Sequence, residues 1–200
     1  MRWLRLWLFP VIFLVLLLYG GLNNYDILNN PHSVAQLYWQ NLKKGKFSYG
    51  LEGKYYNRIS FADLEPGDIL VGGYPKCSYG RFSHAGIYIG DNLVMESYGD
   101  LGVTTQPINH FWDYSEIALL KVEVSPEIKN NAIDYIKNYE GGLFYPVAFK
   151  PGDRIWNCTK IIWKAYLEQG IDLDENKDIW VTPEAFYHSS WTTVIREKGR

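Results

Sequence analysis

Cysteine and histidine are scarce in this chain: two Cys and four His among 200 residues. Two cysteines cannot build a disulfide framework, and the spacing of Cys77 and Cys158 to the histidines fits no zinc-binding pattern. A single Cys77–Cys158 bridge is conceivable, but it would disable either residue as a nucleophile. An excess of one charge is also missing, with 20 basic against 22 acidic residues, so no broad nucleic-acid surface is implied. There is no internal repeat and no low-complexity tract. No metal and no cofactor is expected. Aromatics, by contrast, are abundant at 16%; core packing is their ordinary use, and a carbohydrate- or lipid-facing surface is the alternative.

Residues 1–22 carry Arg2 and Arg5 and then an uncharged apolar run from Leu6 to Leu22. Basic residues before an apolar run read as a signal sequence or signal anchor. The run is short for crossing a bilayer, and Pro10 kinks without forbidding it. No A-x-A-like cleavage site follows, because Tyr19 stands where a small residue is wanted. The reading is therefore an uncleaved single-pass anchor in a bacterial cytoplasmic membrane. Arg2 and Arg5 remain in the cytoplasm and the rest lies outside it; secretion after cleavage is the alternative. No cysteine follows the run, which excludes a lipid anchor at that point.

Residues 23–30 form a linker, and residues 31–200 form one domain. Asn30-Pro31 reads as a helix start, with Val34, Leu37, Tyr38 and Leu42 on the apolar side and Lys43, Lys44 and Lys46 near the end. Phe47 to Ser60 has no clear period. Pro66-Gly67 is a turn, with Asp68 stabilising it, and Ile69 to Val71 starts a buried strand. Glu116 to Val124 alternates as a strand facing Ala118, Leu120, Val122 and Val124 inward. Ser125-Pro126 begins a helix that Gly141-Gly142 ends. Leu143 to Trp156 reads as a loop. Asn157 is a natural N-cap for a helix running to Gly170, which places Cys158 in its first turn and Cys158, Ile161, Ile162 and Ala165 on one buried face. Thr192 to Arg196 is a last strand.

Arg81 to Tyr98 organises the rest: two strand patterns joined by Gly90-Asp91-Asn92, residues suited to a tight hairpin. With a three-residue loop and Ile89 opposite Leu93, His84 faces Tyr98 and Glu96 is its diagonal neighbour on the same face. A two-residue loop without a bulge puts His84 and Glu96 on opposite faces. In the first arrangement the carboxylate holds the imidazole in one tautomer. A cysteine in a first helical turn lies beside unpaired N–H groups and the positive dipole end, both favouring thiolate. Cys158, His84 and Glu96 thus form a workable nucleophile, base and orienter. The bland alternative is an inert core cysteine, a strand-capping histidine and a solvated glutamate. Cys77, His110 and His188 read as structural, surface or packing residues.

Leu64-x-Pro66-Gly67-Asp68-Ile69-Leu70 followed by Ser83-His84-Ala85-Gly86-Ile87-Tyr88-Ile89-Gly90 resembles the NlpC-type papain-like cysteine hydrolases. In that superfamily a histidine directly before such a strand is the base, and a polar residue twelve positions on, here Glu96, orients it. Asn157-Cys158-Thr159 follows these strands instead of preceding them, which resembles the circularly permuted YiiX/YebB-like branch, as does Val181-Thr182-Pro183. Lys160 departs from the pattern, where an acidic residue is common. The resemblance spans about residues 61–195. It implies an α+β, permuted papain-like domain, with an antiparallel sheet packed by helices, behind the N-terminal membrane helix. It also implies a hydrolase acting on an amide bond through an acyl-enzyme. The expected substrate is a cell-envelope peptide of peptidoglycan type. An acyl-lipid substrate of a related acyltransferase or thioesterase, or a non-catalytic envelope-binding protein, is the alternative.

Overall fold

The computed structural model describes residues 2–176 and 178–199, without the side chains of residues 2–6. Met1 and Arg200, the ends of the expected anchor and domain, and the Arg2 and Arg5 side chains lie outside the described part. Helix α1 (Arg2–Asn23) leads into α2 (Tyr25–Asn29) and α3 (Val34–Lys43). Among the described residues no single helix is long and apolar enough to cross a membrane. Residues 7–23 with 25–43 pass such a test only as a pair bent by 69°. Helix α3 starts later than Asn30-Pro31 suggests. Ser33, not Asn30, caps it by accepting a hydrogen bond from the Gln36 N–H. Of the residues expected on its apolar side, Leu42 is exposed, while the Tyr38 ring packs against Tyr79 and Trp180.

Strand β1 (Ile69–Gly73) is central. It is followed by β2 (His84–Gly90), β3 (Leu93–Tyr98), β4 (Gly102–Pro107), a 3-10 turn (Ile108–Asp113) and β5 (Glu116–Val122). Then come α4 (Pro126–Lys137), the short parallel pair β6 (Leu143–Phe144) and β7 (Ile155–Trp156), α5 (Cys158–Leu167), α6 (Pro183–His188) and β8 (Thr192–Lys198). Among the described residues six strands make one antiparallel sheet in the order β4-β3-β2-β1-β5-β8. Residues 143–156, expected to be loop throughout, contain the β6–β7 pair.

The sheet is buried on both faces, which the alternation in β5 does not announce. Ala118, Leu120 and Val122 face α4 and α5 in the larger core, with Ile161, Ile162 and Ala165. Ile117 and Leu119 pack on the opposite face with Ile59, Phe111 and Tyr114. Residues 47–61 cover that second face without regular structure. The Asn57 side-chain amide donates to the carbonyls of Phe111 and Tyr114, both at 2.9 Å. Asp68 does more than stabilise its turn. Fully buried, it accepts from Lys129 Nζ at 2.6 Å, Val122 N–H at 3.2 Å and Glu65 N–H at 2.9 Å, joining β1, β5 and α4.

The hairpin differs from both simple alternatives. Its loop has two residues, Asp91 and Asn92, at φ 52 and 59, the left-handed conformation such a turn requires. Gly90 pairs with Leu93 and Tyr88 with Val94, so Ile89 is an extra, bulged residue. The bulge restores the parity that a two-residue loop would lose. Ile87 faces Met95, and carrying this register back sets His84 across from Tyr98, their rings 5.3 Å apart. His84 and Glu96 therefore share a face.

Candidate active site

Cys158 is the first residue of α5. The capping residue Asn157 accepts the Lys160 N–H at 2.7 Å, and its amide donates to the Pro146 carbonyl at 3.1 Å. Thr159 donates its hydroxyl to the Val181 carbonyl at 2.7 Å. One turn of helix thereby ties down two loops that wall the site. Ile161, Ile162 and Ala165 are fully buried, but Cys158 is not: it is half-buried and opens to a cavity. Lys160 is turned away from that cavity, donating Nζ to the carbonyls of Pro151 and Ile155 at 3.2 Å each. The residue that departs from the family pattern thus fixes a neighbouring loop instead of editing the edge of the site.

His84 opens β2, and its approach is held by hydrogen bonds. Glu184 of α6 accepts the backbone N–H groups of Arg81 and Phe82, and Ser83 N–H donates to the Gly72 carbonyl at 2.8 Å. Tyr114 lies flat beneath the His84 ring, 6.0 Å away and 11° from parallel. That approach needs glycine at 72, because a Cβ there would overlap the Tyr114 ring.

Nε2 of His84 stands 2.6 Å from Oε2 of Glu96, both side chains buried. This leaves Nδ1 for Cys158, whose thiol is within hydrogen-bonding reach of the ring. Burial opposes charge on His84, but Glu96 and a thiolate at Cys158 outweigh it and raise the imidazole to about 10. Burial likewise opposes charge on Glu96, and His84 and His110 outweigh it, holding the carboxyl down to about 2. Both directions describe one ion pair inside the protein.

His110, read from sequence as a surface or packing residue, belongs here. Its Nε2 lies 3.1 Å from the same Glu96 oxygen, and its Nδ1 lies 2.6 Å from the Pro107 carbonyl. No motif marks His110; the 3-10 turn after β4 brings it back over Glu96. His188 stays apart, its ring 4.6 Å from His32. Cys77 is buried, with burial raising its thiol to about 11, as fits an inert structural cysteine.

His84, Glu96 and His110 also gather their possible ligand atoms within 4.8 Å of one another. Two ligands of one tetrahedral ion with bonds of about 2.0 Å lie about 3.3 Å apart. The 2.6 Å between His84 and Glu96 is a hydrogen-bond separation, so as placed these residues fit a proton relay and not an ion.

The cavity, about 430 Å³, is lined by both Cys158 and His84. Aromatic side chains form part of its wall, among them Tyr38, Tyr49, Tyr79, Phe144 and Trp180. Tyr49 stands near Cys158 in that wall. Burial, then the charge of Cys158, holds its phenol well above its ordinary value and so protonated, with the Ser83 and Tyr114 hydroxyls within hydrogen-bonding reach. Sequence reading missed Tyr49 because it lies in a stretch without a period.

A cysteine at a helix N-terminus, facing a histidine on an antiparallel sheet, is the arrangement of the papain-like cysteine hydrolases. Residues 63–192 match the model of the permuted papain-like amidase family, YaeF/YiiX, C92, and the chain belongs to that family. The crystal structure of a protein described as metalloprotein yiiX, from Escherichia coli O157:H7, is similar in fold at a TM-score of 0.55. It shares 19% identity over 68% of this chain and 98% of its own. A search of curated proteins finds no match. Tyr38, Tyr49 and Glu52, which line the cavity, precede the matched region.

Proposed function

We propose that this cysteine amidase works through a Cys158–His84–Glu96 triad and is held at a membrane by its N-terminal helix. The observation that carries the triad is the 2.6 Å bond from His84 Nε2 to Glu96, with His84 lining one cavity together with a cysteine on a capped helix N-terminus. Sγ adds to the amide carbonyl, and the carbonyl electron pair moves onto oxygen. The Cys158 N–H and the Tyr49 phenol donate to that oxyanion. Collapse expels the amine with a proton from His84 and leaves a thioester, which water, deprotonated by His84, then hydrolyses. His110 meets the same Glu96 oxygen as His84 and keeps the orienter from turning. The similar structure is described as a metalloprotein, whereas His84, Glu96 and His110 here stand at hydrogen-bond spacings of 2.6 and 3.1 Å.

Support for the anchor comes from residues 7–23, which present apolar side chains outward on every side; Trp7, Phe9, Ile12, Leu14, Leu16 and Leu18 are each half or more exposed. Such a surface is stable in lipid and not in water. A cell-envelope amide is the expected substrate. The aromatic cavity also favours an acyl-lipid substrate.

The test is trapping. Full-length protein in detergent micelles is treated with 4-nitrophenyl acetate, quenched in acid, and the acyl adduct located by peptide mass spectrometry. The expected adduct is a hydroxylamine-labile thioester on Cys158, absent from Cys158→Ala and formed about 10²- to 10⁴-fold more slowly by His84→Ala. An adduct elsewhere, or an undiminished rate in His84→Ala, overturns the triad.

A further inference from the structure

The cavity mouth is ringed by large apolar side chains that cover nothing. The loop carrying β6 lends Phe144, Pro146 and Val147 to the cavity wall. The same loop leaves Leu143 70%, Tyr145 52% and Phe149 44% exposed. Trp180 also lines the wall, while Ile179 beside it is 60% exposed. The Lys150 N–H donates to the Ile179 carbonyl at 2.7 Å, so these two rims are one surface. On α3, Tyr38 lines the cavity and Trp39 is 54% exposed. Isolated exposed hydrophobics are ordinary; a continuous set around one opening marks an interaction surface.

The course of the chain says what covers it. The stretch leaving α1 and α2 is pinned to this rim: Asn30 donates its amide to Asn176 Oδ1 at 2.6 Å, and Val34 N–H donates to Asp178 at 3.0 Å. Both acceptors lie just before Ile179 and Trp180. The apolar helix is therefore joined to the domain at the cavity mouth. Lys43 ends α3 and Lys44 and Lys46 follow it, with Lys43 Nζ stacked 4.7 Å from the Trp39 ring. Aromatic and basic residues side by side suit a lipid headgroup layer.

We infer that the cavity mouth rests on the lipid bilayer into which α1 runs, so that substrate reaches Cys158 from the lipid phase. This rests on the anchor reading above. The apolar rim sinks into the headgroup and upper acyl region, a depth of about 5–10 Å for interfacial apolar faces. An amphiphile can then enter the aromatic cavity without passing through water.

The test uses full-length Cys158→Ser protein in lipid nanodiscs, with one cysteine added at Phe149, Ile179 or, as control, the exposed Asn130 of α4. Each is labelled with an environment-sensitive fluorophore and titrated with lipids carrying a nitroxide in the headgroup or upper acyl chain. The inference expects blue-shifted emission and several-fold stronger quenching at 149 and 179 than at 130. Equal, weak quenching at all three in protein that stays with the discs through an alkaline carbonate wash overturns the docked mouth and leaves the anchor standing. Release of the protein by that wash overturns the anchor, and the docked mouth with it.

Discussion

Changing Glu96 to glutamine keeps the shape of the side chain and removes its charge. In the native site Oε2 lies 2.6 Å from His84 Nε2, with Glu96 1% and His84 3% exposed. In the proposed triad the proton shared by Cys158 and His84 sits either on Cys158, giving a neutral pair, or on His84, giving thiolate and imidazolium. The carboxylate favours the second arrangement. An opposite charge at this range moves a partner by about 1–3 pKa units, and each unit is a tenfold ratio. Glu96→Gln should therefore shift the balance toward the neutral pair by about 10- to 1000-fold. Only thiolate is alkylated, so the readout is the rate of iodoacetamide labelling of Cys158, located by mass spectrometry. The variant should label more slowly at neutral pH by up to that factor and rejoin the wild type at alkaline pH, where thiolate forms without help from His84. A profile superimposable on the wild type refutes an electrostatic role for Glu96. A uniform loss at every pH points instead to a collapsed site.

The same pair sets a pH window for stability. Glu96, held down from 4.5 to about 2, stabilises above its unfolded value and loses that contribution as pH falls toward 2; His84, raised from 6.5 to about 10, stabilises below its unfolded value and loses that contribution as pH rises toward 10. Urea unfolding should show this contribution complete between 4.5 and 6.5, and His84→Gln should flatten the alkaline decline. Lys129→Met strands the buried Asp68 carboxylate and should destabilise by about 3–5 kcal/mol in urea titration; a cost no larger than that of Lys137→Met on the exposed face of α4 sinks the idea. Asn157→Ala removes both the cap of α5 and the bond to the Pro146 carbonyl. It should cost about 1 kcal/mol by the cap alone and slow Cys158 labelling at neutral pH; unaltered labelling means the cap does not hold the thiol in place.

The parts of the site whose placement is legible in the sequence are those set by local rules. Asn157 caps α5 and Cys158 begins it, because a side-chain acceptor before an apolar period fixes a helix start within a residue. His84 and Glu96 meet because strand parity leaves two options. The reading reached the right face through a three-residue loop, whereas the protein uses two loop residues and a bulge at Ile89. Either route adds the one residue that parity needs. His110 was not legible, since its contact depends on how a 3-10 turn folds back over the sheet, and nothing in its neighbours' periodicity reports that. The N-terminal helix is legible as an apolar run, but whether an apolar run crosses a membrane depends on lipid, not on the chain alone.

Residues 47–59 are the instructive failure, because no local preference organises them. Their backbone groups find partners in the domain instead of each other. Ser48 bridges Cys77 in parallel, Ser78 N–H donates to the Ser48 carbonyl at 2.8 Å, and Leu51 N–H donates to the Pro75 carbonyl at 2.8 Å. Trp112 Nε1 donates to the Ile59 carbonyl at 3.0 Å. A segment without its own hydrogen-bond ladder must borrow one, and its structure is then written in residues far along the chain. The loop around Cys77, unremarkable in the sequence, acquires a purpose from this. Buried and chemically quiet, it is the edge against which Ser48 to Leu51 is set, and so it fixes Tyr49 beside Cys158. The stretch ahead of the family match thus completes the wall of a cavity that Cys158, more than a hundred residues later, also lines.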